Sequence, residues 1–599
     1  MESNYNELPE EIWELILNKL INDPDHNSQF ESLSLVNKCL LSLTNRLRFQ
    51  FTVIDQTYFI HGTISHLIHR FKHLKTLDLS NLTNSTNLQQ YNVETAISVI
   101  ARSSVCLNLE VIDVSNHEYV PIESLKELGL SNRRIKVLKC ARIVKLCDAD
   151  LIAIAKFQPD LEELDISDPR YKFETDSTPR FGLGEIMVTD AGIESLSTGL
   201  RNLKRINISM NPLVTDRCLY HLSLNCLRLE EVLFSKCIMI TMKGVRFMVD
   251  NSLSLRSISM CQSPSIHGTE SLFVDPVTSG KCLTSLCFTG YGVSDEFLDS
   301  IVKARLLLKS FSLYDHGDYS VDGLSRFLHA YQSIKFLDLS NNNIVCNESV
   351  VSLSQCLHDL VSIKLNFCPK VSTRSLFALI INCLCLEHIE MERTRLGKED
   401  DQGLFMNSLK ALHTKSRSIK SLYLRYSPLL TDKSLLTIAS FCPNLNKLDV
   451  SSCFGLTWSL SEILNNCVEI EHLNIRDCKK VKNLGSKVEP LRLKKLCMAR
   501  SGVNDEGLVG IADRCKELVN IDLERCQHVT TNAVKAMVKS CAKLREVNLK
   551  GCVNLHAYIV DWMVHTRRSL RKLVPPSYDV TTESQRELLL RHGCHVCDK

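Results

Sequence analysis

The chain has 599 residues, of which 44% are hydrophobic and 23% charged, and its formal net charge is +3. These values are typical of a soluble globular protein or repeat array, and without a domain-sized basic block they give no indication of nucleic-acid binding. The acidic start lacks the basic region and apolar core of a secretory signal. The most apolar run, about twelve residues at Ser375–Leu386, is too short to span a bilayer. We therefore expect a cytoplasmic or nuclear protein with no membrane partner, whose 26 cysteines stay reduced.

Residues 1–50 predict two amphipathic helices separated by a polar stretch. The first lies in ELPEEIWELILNKL, where a proline precedes apolar residues at helical spacing. The second lies in FESLSLVNKCLLSLTNRLRF. Two helices this short carry more apolar positions than they can bury alone, which is typical of a partner site. The same helices could instead form a cap that closes the end of the repeat array that follows.

A repeat of mostly 25–26 residues begins at about residue 74. Its first half reads L-x-x-L-x-L-x-x-C, as in Leu445, Leu448, Val450 and Cys453, and the apolar triplet recurs about eighteen times. Its second half has Ser, Thr or Asn, often followed by Asp, before apolar residues at helical spacing, as in VTDAGIESL. Such polar residues cap helix N-termini, and the Asp suits the positive end of the helix dipole. Each unit is therefore predicted to be a strand, a turn and a helix.

Stacked units of this kind bury their apolar edges against one another. The predicted fold is an α/β leucine-rich-repeat solenoid, a horseshoe of about eighteen strand–helix repeats with a parallel sheet on its concave face, preceded by a small all-α segment. The expected boundaries are 1–50 for the helical segment, 51–73 for a linker or N-terminal cap, 74–575 for the repeats and 576–599 for a C-terminal cap or tail.

Pairs of cysteines eleven positions apart recur in these repeats, for example in CKELVNIDLERC. A disulfide within one unit is excluded, because its strand alone spans roughly 16 Å and a bridge allows about 7 Å between Cα atoms. We predict that these cysteines fill small apolar slots in the core. The tail places Cys594 and Cys597 beside His592 and His595, but adjacent ligands crowd and no second C-x-x-C follows. We predict no metal there and favour a frayed terminus.

The N-terminal segment resembles an F-box, whose pattern L-P-x-E-I-x-x-x-I-L-x-x-L is matched from Leu8 to Leu20. In the second part of the pattern, Asn37 replaces the usual cysteine and Leu40 stands where an aromatic residue is common. Together with a repeat array similar to the cysteine-containing leucine-rich repeat, the chain resembles the F-box/leucine-rich-repeat family, including plant members. The positions that the resemblance assigns to adaptor binding are Leu8, Pro9, Ile12, Ile16, Leu17, Leu20, Val36, Leu40 and Leu43.

This resemblance implies a substrate receptor of a Skp–cullin–F-box ubiquitin ligase, which docks on a Skp-type adaptor and through it on a cullin. The receptor would hold a target for ubiquitination and proteasomal degradation. It would not be an enzyme and would need no cofactor, and the chain has no G-x-S-x-G, P-loop or H-E-x-x-H motif. Two alternatives are a repeat scaffold outside any ligase and a ligand-gated receptor of the plant-hormone type.

The residues that follow the strands of the later repeats are basic and aromatic, and we expect them on the concave face. Arginine suits carboxylate or phosphate, so these side chains predict an acidic or phosphorylated protein target. Alternatively, neighbouring acids such as Glu392 and Glu524 pair with them and leave a solvated mixed-charge face. Inserts after Asp168 and after Arg393 are expected to form loops on one face. The candidate target-binding residues are Arg393, Tyr423, Arg425, Tyr426, Arg476, Arg500 and Arg525.

Overall fold

The computed structural model forms two compact units. The first comprises Met1–Leu286 with Lys303–Leu306, and the second comprises Cys287–Val302 with Leu307–Lys599. The structure describes residues 10–21, 33, 36–53, 66–67, 70–71, 73–82, 93–102, 108–131, 135–170, 187–260, 280, 282–289, 293–315, 317–397, 416–485, 489–556, 558–577, 586, 588–589 and 592–596.

The first unit begins with two helices and continues as alternating strands and helices. Its strands pair in parallel, each with the next one along the chain. The helices are α1 (Glu10–Ile21), α2 (Lys38–Arg46), α3 (Val93–Ala101), α4 (Ile122–Ser131), α5 (Asp148–Phe157), α6 (Asp190–Gly199), α7 (Asp216–Asn225) and α8 (Met242–Asn251). The strands are β1 (Gln50–Thr52), β2 (Thr76–Asp78), β3 (Val111–Asp113), β4 (Val137–Lys139), β5 (Glu163–Asp165), β6 (Arg205–Asn207), β7 (Glu231–Leu233) and β8 (Ser257–Met260).

The strand β9 (Ser285–Thr289) and the helix α9 (Asp295–Ala304) contain residues of both units. The second unit repeats the same parallel pairing from β10 onward. Its other helices are α10 (Val321–Ala330), α11 (Asn347–Ser354), α12 (Thr373–Asn382), α13 (Asp432–Phe441), α14 (Ser459–Asn466), α15 (Asp505–Arg514), α16 (Thr531–Ser540) and α17 (Ile559–Thr566). Its other strands are β10 (Ser310–Tyr314), β11 (Phe336–Asp338), β12 (Ser362–Lys364), β13 (His388–Glu390), β14 (Ser421–Tyr423), β15 (Lys447–Asp449), β16 (His472–Asn474), β17 (Lys495–Cys497), β18 (Asn520–Asp522), β19 (Glu546–Asn548), β20 (Lys572–Val574) and β21 (His595–Val596).

The apolar triplet of each repeat accounts for the core. In the repeat of β15, Leu445, Leu448 and Val450 are all buried, and Leu448 is the middle residue of the strand. The parallel register places Leu448 opposite Leu422 of β14 and Leu473 of β16, so equivalent apolar residues stack from repeat to repeat. The predicted α/β leucine-rich-repeat solenoid with its open parallel sheet is therefore confirmed.

The cysteines of the repeat are buried and form no disulfide among the described residues. The first of each pair caps a helix C-terminus, as Cys226 does for α7 and Cys442 for α13. The second follows the strand, and its thiol donates to a carbonyl of the preceding repeat: Cys237 Sγ lies 3.2 Å from the Ile208 oxygen, and Cys552 Sγ lies 2.9 Å from that of Leu523. The predicted structural role is confirmed, with a hydrogen bond that the sequence did not indicate.

Cysteine alkylation should separate these buried thiols from the exposed ones. Burial raises the pKa of Cys237 to about 11 and that of Cys226 to about 12. Because the thiolate is the reactive form, iodoacetamide at about pH 8 should leave both unlabelled in the folded chain. The exposed Cys39, Cys282 and Cys385 should be labelled first, as measured by peptide mass spectrometry. Labelling of Cys237 as fast as that of Cys39 would contradict the buried assignment.

The thiol-to-carbonyl hydrogen bonds of the cysteines form one ladder of polar contacts between repeats. A second ladder connects the helix N-termini. The backbone N–H and the hydroxyl of Thr241, the N-cap of α8, donate to the carboxylate of Asp216 in the first turn of α7, at 2.7 and 2.6 Å. Thr215 donates to Asp190 in the same way, and Thr530 to Asp505. Each such carboxylate therefore satisfies the N-cap of the following repeat as well as suiting its own helix dipole.

The repeat between β16 and β17 lacks a helix in its described residues, 479–485 and 489–494. The last residue of α15, Arg514, is almost completely buried beside this stretch. Its guanidinium donates to the Asn465 side chain of α14 at 2.9 Å and to the Glu489 carbonyl at 3.0 Å. A long polar side chain thus links the two flanking helices across the stretch that carries no helix.

Both ends of the repeat array add a strand to the sheet. At the N-terminal end, β1 pairs with β2 and lies in the stretch interpreted as a linker or cap. At the C-terminal end, β21 pairs with β20, and Cys594 and Val596 are buried. The frayed terminus favoured for the tail is therefore wrong for residues 592–596, because these side chains cover the edge of the last repeat. Among the described residues, no helix has the length and apolar composition to cross a bilayer.

Candidate functional site

The docking helices, α1 and α2, pack on each other through a small core of their own. That core consists of Leu17 from α1 and Leu40, Leu43 and Leu47 from the second helical stretch, with Trp13 partly buried against it. Asn37 begins α2, since its side chain accepts a hydrogen bond from the Leu40 N–H at 2.8 Å. Leu17, Leu40 and Leu43 are buried in this core, and their adaptor-binding role stays a prediction.

The outer side of α1 presents an apolar surface. Ile12 is 41% exposed, Leu15 62% and Ile16 38%, and Val36 just before α2 is 65% exposed. Leu15 was absent from the sequence-based set, although its place among the other apolar residues of α1 was a usable signal. Leu8, Pro9 and the side chain of Leu20 lie outside the described residues. The adaptor-binding role of Ile12, Ile16 and Val36 stays a prediction.

The docking helices are also connected to the first repeats. The Lys75 N–H donates to the Phe49 carbonyl at 2.7 Å, in line with the pairing of β1 and β2. The Arg70 guanidinium donates to Asn45 of α2 at 2.8 Å. These contacts hold the helices to the first edge of the sheet, as a cap would be held.

In the later repeats, one carboxylate lies within 4 Å of three of the predicted arginines. Glu524 lies 3.1 Å from Arg476 and 3.2 Å from Arg500, through different carboxylate oxygens, and 3.9 Å from Arg525. Partial burial favours a higher pKa for Glu524, but the hydrogen bonds and charges of Arg500 and Arg476 outweigh it and lower the pKa. Arg476 and Arg500 are therefore paired within the protein, as the alternative of a mixed-charge face expects, whereas Arg525 lies at the limit of ion-pair distance.

Arg425 is also neutralised by its surroundings. Its guanidinium lies 3.6 Å from Glu392 and 3.9 Å from Asp449, and donates to Ser451 at 3.1 Å. The strand residue Tyr423 is half-buried and lines a shallow depression together with Asp449, His472 and Asn474. Its binding role stays a prediction.

Arg393, Tyr426, Arg500 and Arg525 occupy the turn that follows each strand. All four have left-handed backbone, with φ between 51° and 56°. The sequence predicts that these residues, which follow the strands, lie on the concave face; β14 ends at Tyr423, three residues before Tyr426, which lies in the turn. Of the seven predicted target-binding residues, Tyr423 lies in a strand and the other six follow strands.

The turns of β12 to β14 bring aromatic side chains around Arg393. Its guanidinium carbon lies 5.1 Å from the Phe367 ring centroid and 4.7 Å from that of Tyr426. Phe367, which was not predicted, has the same left-handed backbone at the equivalent position of the preceding repeat. Among the described residues, no group of His, Cys, Asp and Glu side chains could hold a metal ion. The insert after Asp168 is described only to residue 170 and the one after Arg393 only to residue 397, and Cys597 also lies outside the described residues.

No family model matches the chain. F-box/LRR-repeat protein 4 of Bos taurus is 24% identical over 230 residues, which cover 34% of this chain and 33% of that protein. F-box protein FBW2 of Arabidopsis thaliana is 30% identical over 107 residues, which cover 16% of this chain and 32% of that protein. Both relatives are F-box proteins by name, and one name also contains the leucine-rich repeat. The resemblance to the F-box/leucine-rich-repeat family is confirmed.

Solved structures similar to this chain include the yeast Rad7–Elc1 complex, with a TM-score of 0.40 at 15% identity over 73% of this chain and 85% of the other. They also include the TLR13–ssRNA13 complex, with a TM-score of 0.45 at 14% identity over 88% of this chain and 76% of the other. The fold assignment rests on the repeat geometry itself. The chain spans about a third of the length of the curated relatives it matches, so its activity, target and partners are matters for proposal.

Proposed function

We propose that this chain is the non-catalytic substrate-recognition subunit of a Skp–cullin–F-box ubiquitin ligase. The docking helices would bind a Skp-type adaptor and through it a cullin, and the repeats would hold a protein target. The contribution of such a subunit is proximity, because a tethered lysine meets the ubiquitin thioester at high effective concentration. No side chain of this chain needs to take part in covalent chemistry.

The observation that carries the proposal is the apolar outer surface of α1. Ile12, Leu15 and Ile16 are exposed although the helix already has a separate core around Leu17. Exposed apolar side chains on a helix with a completed core are typical of a partner surface. Their place just before a cysteine-containing repeat array is the arrangement of the F-box/leucine-rich-repeat family.

Co-purification of the full chain with a Skp-type adaptor tests the proposal. The Ile12→Asp, Ile16→Asp double variant should bind the adaptor at least about a hundredfold more weakly, because two unpaired carboxylates would be desolvated at the interface. Ile152→Asp is the matched control, because it makes the same substitution at an exposed helical isoleucine outside α1. Ile152 lies on α5 and is 49% exposed. Equal adaptor binding by the wild type and the double variant, or no binding by either, would overturn the proposal.

A repeat scaffold with a helical cap is the second candidate, and the continuity of the docking helices with the sheet favours it. β1 follows α2 directly and pairs with β2, while Arg70 ties the repeats to Asn45. A cap of this kind would leave the thermal stability of the repeats dependent on α1 and α2, with no adaptor bound. The same co-purification separates the two candidates, since only the ligase subunit requires the adaptor.

A further inference from the structure

The turns that follow β12 to β15 carry an exposed, aromatic-rich surface, which we call the turn edge. Its aromatic and aliphatic side chains are between 39% and 57% exposed. Its one charged side chain, that of Arg393, is also exposed. Tyrosine, tryptophan and arginine are the residues most enriched at the centres of protein interfaces. The turn edge consists of Phe367, Arg393, Tyr426, Leu429, Phe454 and Trp458.

The backbone shows that three of these residues are equivalent and adjacent. Phe367, Arg393 and Tyr426 have φ values of 58°, 51° and 51°, and each N–H donates to a carbonyl in the turn of the next repeat, at 2.7, 3.0 and 3.0 Å. Bulky side chains rarely adopt this left-handed conformation, which favours asparagine, aspartate and glycine. Other repeats place Asn116, Asp168 or Asn341 at the same position with the same backbone. Arg142, Met210 and Lys236 also occupy this position, but among the described residues with this backbone only Phe367 and Tyr426 are aromatic.

The remaining apolar residues extend this surface into the next repeat. Leu429 shares its turn with Tyr426, and Phe454 and Trp458 belong to the turn that leads into α14. The two turns touch, since a Cβ placed on Gly455 would lie 2.5 Å from the Leu430 carbonyl oxygen. Apolar side chains thus continue from Phe367 through Trp458 along successive repeats.

The electrostatics distinguish Arg393 from the other predicted arginines. Arg425, Arg476 and Arg500 each lie within 4 Å of a carboxylate of the protein. Among the described residues, no carboxylate lies within ion-pair distance of Arg393, and the adjacent Glu392 pairs with Arg425 instead. Arg393 is flanked by two rings and forms no ion pair among the described residues, so an anionic group on a partner would complement it.

We infer that the turn edge binds a polypeptide segment that carries a carboxylate or phosphate beside an apolar side chain. The anion would face the guanidinium of Arg393, and the apolar side chain would pack on Tyr426, Leu429, Phe454 and Trp458. This inference rests on the proposed function, in which the repeats hold a target, and it names the chemistry of the target and the surface that receives it.

Synthetic peptide libraries test the inference with the full chain. Three libraries of short random peptides would differ only in one fixed central residue, which is glutamate, phosphoserine or glutamine. We expect the glutamate or the phosphoserine library to be retained about tenfold better than the glutamine library, with apolar residues enriched next to the anion. The comparison between the two anionic libraries separates an acidic target from a phosphorylated one.

Variants locate the binding on the turn edge. Arg393→Gln should remove the preference for the anion, and Arg393→Lys should restore part of it, because lysine keeps the charge but not the planar fork. Arg142→Gln is the matched control, since Arg142 has the same left-handed backbone in the first unit but pairs with Asp168 at 3.2 Å. Equal retention of the anionic and glutamine libraries by the wild type, or the same loss in Arg142→Gln, would overturn the inference.

The adaptor experiment is independent of this one. The docking helices lie in the first unit and the turn edge in the second, so Arg393→Gln should co-purify with the adaptor as the wild type does. Retention of anionic peptides without adaptor binding would support the turn edge and refute the ligase subunit. Adaptor binding without a preference for anionic peptides would refute the turn edge alone.

Discussion

Replacement of Gly397 by alanine is expected to lower the local free energy of unfolding by about 3 kcal/mol, because two costs coincide. Gly397 has φ +91°, a conformation that L-residues rarely adopt. A Cβ at this position would also collide with the carbonyl of Leu429 and lie 2.7 Å from the Cα of Leu430. These are backbone atoms of the neighbouring repeat, which cannot move aside as a flexible side chain can.

Gly593→Ala is the control that isolates the collision. Gly593 also has a left-handed φ of +82°, but the nearest heavy atom to a new Cβ there is the Arg571 Nη1 at 3.7 Å. Only the cost of a left-handed backbone for alanine, about 1 kcal/mol, should remain. Hydrogen–deuterium exchange of the peptides that contain β13 and β14 measures the Gly397 effect, and exchange at β20 and β21 measures that of the control. Equal losses in the two variants would show that the close approach of the repeats is not what matters.

Glu524→Gln is expected to cause the second large loss of stability. Removal of this charge leaves Arg476, Arg500 and Arg525 close together without their shared carboxylate. After allowance for solvent screening, we expect a loss of about 1–2 kcal/mol in unfolding free energy at neutral pH. The matched control is Glu127→Gln, whose exposed pair with Arg102 at 2.7 Å should leave the urea midpoint unchanged.

The pH dependence of this effect has a definite sign. The folded state lowers the pKa of Glu524, so its contribution to stability is present above the pKa of the unfolded state, about 4.3. The contribution is lost as the pH falls through the folded-state value. The difference in urea midpoint between wild type and Glu524→Gln should therefore be largest near neutral pH and shrink in acid. A difference that grows on acidification would rule out the proposed charge cluster.

The repetitive part of the fold could be predicted because its cause is local and recurs. Leu445, Leu448 and Val450 are apolar at strand spacing, and both neighbouring repeats carry buried apolar residues at the equivalent positions for them to stack on. The polar ladders could not be predicted in the same way. The thiol of Cys237 and the carboxylate of Asp216 find their partners one repeat away, at distances that only the stacking of repeats determines.

The candidate sites were less predictable, because the direction in which an exposed side chain points depends on where its strand ends. Arg425 and Tyr426 were expected together on the concave face, but β14 ends at Tyr423 and Tyr426 lies in the following turn with left-handed backbone. The pairing of Glu524 with Arg476 joins residues 48 positions apart, two repeats along. On the docking helices, an apolar stripe did not reveal that Leu17 and Leu43 face each other while Ile12 and Ile16 face outward.

The two polar ladders have a common direction along the chain. Thr241 donates to Asp216 and Cys237 to Ile208, so in both cases the donor belongs to the later repeat and the acceptor to the earlier one. A ribosome delivers the N-terminal repeats first, at roughly 5–20 residues per second. Each emerging donor therefore meets an acceptor that is already in place. For these two ladders, the array can grow on the ribosome one repeat at a time, because each new repeat brings the donors to acceptors that are already present.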